Sequence, residues 1–163
     1  FVLTFEELKV IFDALEINPA ELPETPTKEY ASRGGRLYGR TAGVSTAVSE
    51  AVERIFPNKS EKVRTIQAHG VVNCKELLSK LQNGEVDANF IEGMGCVGGC
   101  VGGPKRIIPM EVGRDRLNEL CDNSEIKVAV DSDRMLDVLK RIGITSVEDV
   151  IEGKNIGILE RTF

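Results

Sequence analysis

Cys96 and Cys100 stand four positions apart inside a run that holds six glycines between Gly93 and Gly103. Cysteine thiolates are the ligands of iron–sulfur clusters, whose potentials depend on burial and on hydrogen bonds to the sulfurs. Glycine removes the Cβ that would crowd such a group and permits positive φ, so freed backbone amides could point at an anionic cluster. The pair alone leaves other readings open. Two thiolates do not complete a cubane, and a free cysteine is often simply buried. Zinc usually takes a second cysteine pair or histidines, yet His69 is the only histidine in the sequence. A phosphate-binding loop needs glycine before its lysine and Ser or Thr after it; here Pro104 and Arg106 flank Lys105. Spacing therefore leaves cluster binding and purely structural glycine turns both standing.

The elements that must position this loop follow from pattern. Thr4 and Glu7 form a capping box, and Phe5, Leu8, Ile11, Phe12 and Leu15 predict an amphipathic helix over 5–16. Pro19, Pro23 and Pro26 then punctuate a loop. Residues 32–43, with four glycines and three arginines, lead into an apolar stripe from Val44 to Phe56, stopped by Pro57. A strand is expected over 62–68. The next helix is expected to be capped at Asn73, to turn Leu77, Leu78 and Leu81 inward and to end at Gly84. A second strand over 86–91 delivers the cysteine loop. Beyond it, a helix near 110–121 begins at Pro109, residues 127–130 fit a short strand or an extended linker, and further helical turns follow from Asp131 and Ser146. Helices alternating with strands predict an α/β fold with a largely parallel sheet flanked by helices. Residues 1–109 form one lobe, and residues 110–163 a helical C-terminal extension packed on it.

The remaining reactive side chains carry less. Cys74 opens a helix and Cys121 closes one, which suits spectators better than ligands. His69 ends a strand and reads as a hydrogen-bonded structural residue. Arg33, Arg36 and Arg40 suit pairing with acids, shielding of an anionic group, or a solvated basic loop.

The whole chain sets bounds on these readings. Its 163 residues are 41% hydrophobic and 29% charged, an ordinary globular balance. Folded alone, such a chain is expected to bury roughly 70% of its unfolded surface. A net charge of −5 without a basic tract argues against nucleic-acid binding. No apolar run approaches the ~20 residues of a membrane span, and the opening residues do not read as a signal peptide. Four cysteines in this length form no disulfide framework, so a reducing cytoplasm is the expected compartment. Phe1-Val2-Leu3 reads as the end of a strand already under way, which points to a piece of a longer polypeptide, although tag cleavage or processing would leave the same start.

Residues 90–105 resemble the third cluster-binding motif of the iron-only ([FeFe]) hydrogenases, F-x-E-x-M-A-C-x-G-G-C-x-x-G-G. Phe90, Glu92, Met94, Cys96, Gly98, Gly99, Cys100 and Gly103 match in place. Upstream, Val2-Leu3-Thr4 with Glu7-Leu8 resembles the family's V-L-T-x-x-E-L. Gly39-Arg40-Thr41-Ala42-Gly43-Val44 resembles its glycine turn, and residues 63–80 its preceding strand and helix. The similarity covers about residues 1–106 and only the second half of the family's catalytic domain.

That resemblance implies a [4Fe–4S] cubane joined through a cysteine sulfur to a two-iron subsite in the full-length parent, absent or incomplete in this piece. Cys96 resembles the ligand of the cubane alone, and Cys100 the ligand that also bridges to the two-iron unit. Met94 resembles a side chain packed beside the subsite, while Gly98 and Gly99 line the cluster. The implied activity is reversible H2 oxidation in the parent, with this piece inactive by itself. The implied partners are the N-terminal half of the same polypeptide and a ferredoxin-like electron carrier. The family's other two cysteine motifs, T-S-C-C-P and P-C-x-x-K, are not in this sequence. Gly95 replaces an alanine and Pro104-Lys105 interrupts the glycine tail, departures that fit a divergent branch. A hydrogenase-like assembly protein and a redox or H2 sensor are the alternatives.

Overall fold

A computed structural model of the chain describes residues 1–23, 30–58, 61–155 and 157; Pro26 and the last residues of the C-terminal extension lie outside them. The order is α1 (Phe5–Ala14), α2 (Arg33–Leu37), α3 (Gly43–Ile55), β1 (Thr65–His69), α4 (Val71–Gln82), β2 (Phe90–Met94), α5 (Met110–Asp122), α6 (Asp133–Arg141) and α7 (Val147–Ile151). β1 and β2 pair in parallel, from Thr65 opposite Phe90 to His69 opposite Met94, with α4 as the crossover. This is the mixed α/β fold the pattern predicts, with its parallel sheet reduced to two strands. No helix among the described residues is long and apolar enough to cross a membrane.

Both strands start three or four residues later than their apolar runs imply, and Asn89 explains the shift. Its side chain accepts the Arg64 N–H at 2.7 Å and its own N–H donates to the Arg64 carbonyl, so the ladder opens only at Thr65. α4 begins before Asn73, because Gly70 at φ +81° turns the chain out of β1. Asn73 instead donates to the His69 carbonyl at 3.0 Å. Leu77 is buried as expected, whereas Leu78 and Leu81 are exposed.

α2 packs between α3 and α5, burying Leu37 and Cys121. Residues 127–130 form neither a strand nor a simple linker, since Ala129–Asp131 is a 3-10 turn, and residues 126–127 lie outside any helix or strand. Their carbonyls take the first two amides of α2, from Arg33 at 2.7 Å and Gly34 at 3.1 Å, two donors a helix start leaves without internal partners. Arg33 and Arg40 pair with acids and an amide and belong to no free basic loop. Arg33 bridges Asp122 and Glu50, whose carboxylates strengthen its hold on its proton, and Arg40 Nε donates to the side-chain Oδ1 of Asn118.

The expected burial is not reached. The chain exposes 12147 Å², about one and a half times the ~8,000 Å² of a compact monomer of this mass. Its buried apolar side chains among the described residues are Leu37, Ala68, Leu77, Cys121 and Ile144, and of these only Leu37, Cys121 and Ile144 are fully buried. The capping box of α1 is present, with Thr4 Oγ1 accepting from the Glu7 amide and the Glu7 carboxylate from the Thr4 amide. Its apolar stripe, however, lies open: Phe5, Leu8, Val10 and Ile11 are exposed, as are Phe1, Val2 and Leu3, which form no strand.

A second capping box starts α7. Asp149 accepts from the Thr145 hydroxyl and amide and from Lys154, which together hold its carboxyl well below the usual 3.8. A depressed value makes this cap stabilising above pH 3.8 and lost only as pH falls through the lower folded-state value. An NMR titration is expected to move the Thr145 and Ser146 amides far below that pH; an ordinary midpoint there would contradict the cap.

Candidate metal centre

The parallel pairing brings His69 and Met94 side by side at the carboxyl ends of the strands, where open α/β sheets place their sites. From that edge Gly95 leads into the cysteine loop, and the loop is clasped against the turn between α2 and α3. The Thr41 amide donates to the Gly98 carbonyl at 3.0 Å, and the Val101 amide to the Gly39 carbonyl at 3.0 Å. On the other side the Gly98 amide donates to His69 Nδ1 at 3.2 Å.

Glu92, one of the motif residues, turns out to be the bolt of this clasp. It is 4% exposed, and its carboxylate accepts the Ala42 amide at 2.7 Å and the Ser45 amide at 2.8 Å. Ala42 is the N-cap of α3, at φ +62° and with no side-chain cap of its own. A strand carboxylate thus fills the role an N-cap side chain normally has, opposite the positive end of the helix dipole. The sequence carries a signal for it: one acid in the middle of a short strand that is otherwise apolar or glycine.

The glycines serve the protein's own packing. A Cβ on Gly99 would stand 2.6 Å from the Thr41 nitrogen, one on Gly102 1.8 Å from the Val97 carbonyl oxygen, and one on Gly98 2.1 Å from Met110 Sδ. Their amides are also engaged: Gly99 donates to Cys96, Gly102 to Gly99 and Gly103 to Cys100. Amides freed to face a cluster are therefore not what these glycines provide.

Cys96 is half-buried, with Gly103 packed near its sulfur, and Cys100 is exposed. Cys100 borders a groove of about 410 Å³ walled by Phe5, Val101, Ile107, Ile108 and Leu117. Met94 is half-buried at the end of β2. The other two cysteines stand apart from this pair in role. Cys74 lies 3.4 Å from the Met94 carbonyl and 3.6 Å from that of Ala68, a thiol donor holding the strand ends. Cys121 is fully buried between helices, and burial pushes its thiol up, away from the reactive thiolate. Among the described residues no three His, Cys, Asp or Glu side chains converge to hold a metal ion. Two cysteines, one half-buried and one exposed, are not a complete four-thiolate set.

Comparison with known proteins gives a consistent result. The family model for the iron only hydrogenase large subunit, C-terminal domain, matches residues 1–104. A variant of an [FeFe]-hydrogenase from Chlamydomonas reinhardtii superposes with a TM-score of 0.59 at 24% identity, over 82% of this chain and 49% of that one. A structure describing stepwise [FeFe]-hydrogenase H-cluster assembly gives 0.57 at 19% identity, over 88% and 52%. An apo variant of the Chlamydomonas reinhardtii enzyme gives 0.55 at 19% identity, over 82% and 48%. Identities this low carry the fold alone, and the chain spans about half the length of these structures. No curated protein matches the sequence.

Proposed function

Since the chain belongs to the family of the C-terminal domain of the iron-only hydrogenase large subunit, we propose that it supplies half the ligand set of an iron–sulfur active site. The parent polypeptide interconverts H2 with two protons and two electrons. The observation that supports this most is the cysteine pair itself, set by a clasped loop at the carboxyl edge of a parallel sheet. A [4Fe–4S] cubane with a two-iron subsite would supply the place where H–H cleavage occurs and would take up the two electrons released, or return them in the reverse direction. Cys96 would hold the cubane, and Cys100, on the open side, would be a ligand to it and to the two-iron unit. Met94 packs beside that unit. Gly98 and Gly99 serve the group by shaping the loop, since their amides are engaged elsewhere.

The two remaining thiolates, and the proton relay, come from the preceding half of the polypeptide. That half covers the bare stripe of α1 and the groove beside Cys100, and electrons leave through a ferredoxin-like carrier. α5 braces the clasp from behind, through Asn118 on Arg40 and Asp122 on Arg33.

The test compares anaerobic preparations of this chain alone and of the whole polypeptide. The chain alone is expected to show no infrared bands of iron-bound CO and cyanide and no H2 uptake, and the whole polypeptide both. Such bands in the chain alone would overturn the half-site. A cluster without turnover in the whole polypeptide would move it to the sensor or assembly class.

A further inference from the structure

Gly98 is the midpoint of the Cys96–Cys100 spacing, and its peptide unit is gripped at both ends. Thr41 donates to its carbonyl at 3.0 Å, and its amide donates to His69 Nδ1 at 3.2 Å. Gly98 and Gly99 both sit at positive φ, +83° and +86°, where a glycine backbone left free would populate many conformations. His69 itself is fixed from two directions. Its backbone is paired in the β1–β2 ladder opposite Met94, and its carbonyl accepts from Asn73 at 3.0 Å. To accept from Gly98, Nδ1 must be bare and the ring proton must sit on Nε2.

We propose that His69 is a positioning residue: its Nδ1 holds Gly98 so that the Cys96 and Cys100 thiolates are placed before iron arrives. This deepens the cluster reading and rests on it for its purpose, although the effect on the loop is measurable without iron. Presetting two ligands removes ordering entropy from the binding step, which is how the groups behind a ligand set tune a metal site.

The experiment uses the full chain as wild type, His69→Ala, His69→Phe and His69→Asn. Asparagine offers Oδ1 close to where Nδ1 stands, whereas phenylalanine fills the space with no acceptor. Hydrogen exchange at the Gly98 amide is expected to rise roughly tenfold in the Ala and Phe variants, the loss of about one hydrogen bond. Alkylation of Cys96 by iodoacetamide is expected to rise with it. The Asn variant is expected to recover most of both, with β1 and β2 amides unchanged throughout. In the polypeptide containing this chain, iron content is expected to fall in the Ala and Phe variants and to return in Asn. Phe behaving as wild type, exchange rising equally across both strands, or iron taken up in equal amount by all four would overturn the proposal. If no variant, wild type included, takes up iron, the cluster reading fails, and exchange and alkylation decide the role of His69 alone.

Discussion

Glu92→Ala is expected to lower the stability of the chain by about 3–5 kcal/mol. The substitution strips two charge-assisted acceptors from a buried site and leaves the Ala42 and Ser45 amides without partners at the start of α3. It also unfastens β2 from the turn that supports the cysteine loop, so the loss is not local. Against the roughly 5–15 kcal/mol that holds a typical domain together, and with only a small buried core here, the variant sits near the edge of folding. Glu92→Gln keeps one acceptor oxygen but points an NH2 at the second amide, so it falls between the two. Urea unfolding followed by circular dichroism is expected to give midpoints in the order Glu, Gln, Ala. An alanine midpoint equal to wild type would show that water replaces the carboxylate at no loss.

Gly99→Ala is expected to release the cysteine loop while leaving the helices in place. Gly99 sits at φ +86° and ψ −157°, a region essentially closed to residues with a Cβ. The added carbon would also meet Arg40 and Thr41 backbone atoms at 2.6–2.7 Å. Strain and clash together cost about 3 kcal/mol or more, enough to break the bonds from Thr41 to Gly98 and from Val101 to Gly39. Alkylation of the half-buried Cys96 is expected to accelerate at least tenfold, with far-UV circular dichroism nearly unchanged. Gly95→Ala is the contrast: a Cβ there has nothing within 4 Å, so the change is expected to stay within about 0.5 kcal/mol. Equal effects at the two positions would mean that packing against the 39–42 turn does not hold the loop.

Much of this arrangement is legible in residue order, and the failures share a cause. The capping box at Thr4, the stripe of α3 and the stop at Gly84 are local signals, written in neighbouring residues, and the structure carries all three. Apolar runs misplace the strand limits, because the ladder begins where Asn89 meets Arg64, a contact between residues 25 apart. Side-chain preference puts the cap of α4 at Asn73, whereas the φ of Gly70 makes the turn. The glycines of the cysteine loop look like clearance for a bulky group, yet Met110 and the Arg40–Thr41 backbone fill that space. Glu92 is visible as a motif letter and not as a cap, because its partners lie 47 and 50 residues away. The amphipathic pattern of α1 does mark a helix, but periodicity says only that a face is apolar, not which surface covers it.

On the proposed function, Cys96 and Cys100 are iron ligands and Cys74 and Cys121 are not. Iron analysis of four serine variants of the polypeptide containing this chain, prepared anaerobically, tests it most directly. Cys100→Ser is expected to abolish the active-site signal and H2 turnover, because a hydroxyl is a poor ligand for soft iron–sulfide chemistry. Cys96→Ser is expected to lose part or all of the cubane. Cys74→Ser and Cys121→Ser are expected to keep nearly full iron content, since one thiol holds the strand ends and the other is sealed between helices. Equal iron losses at Cys74 and Cys100 would contradict the account.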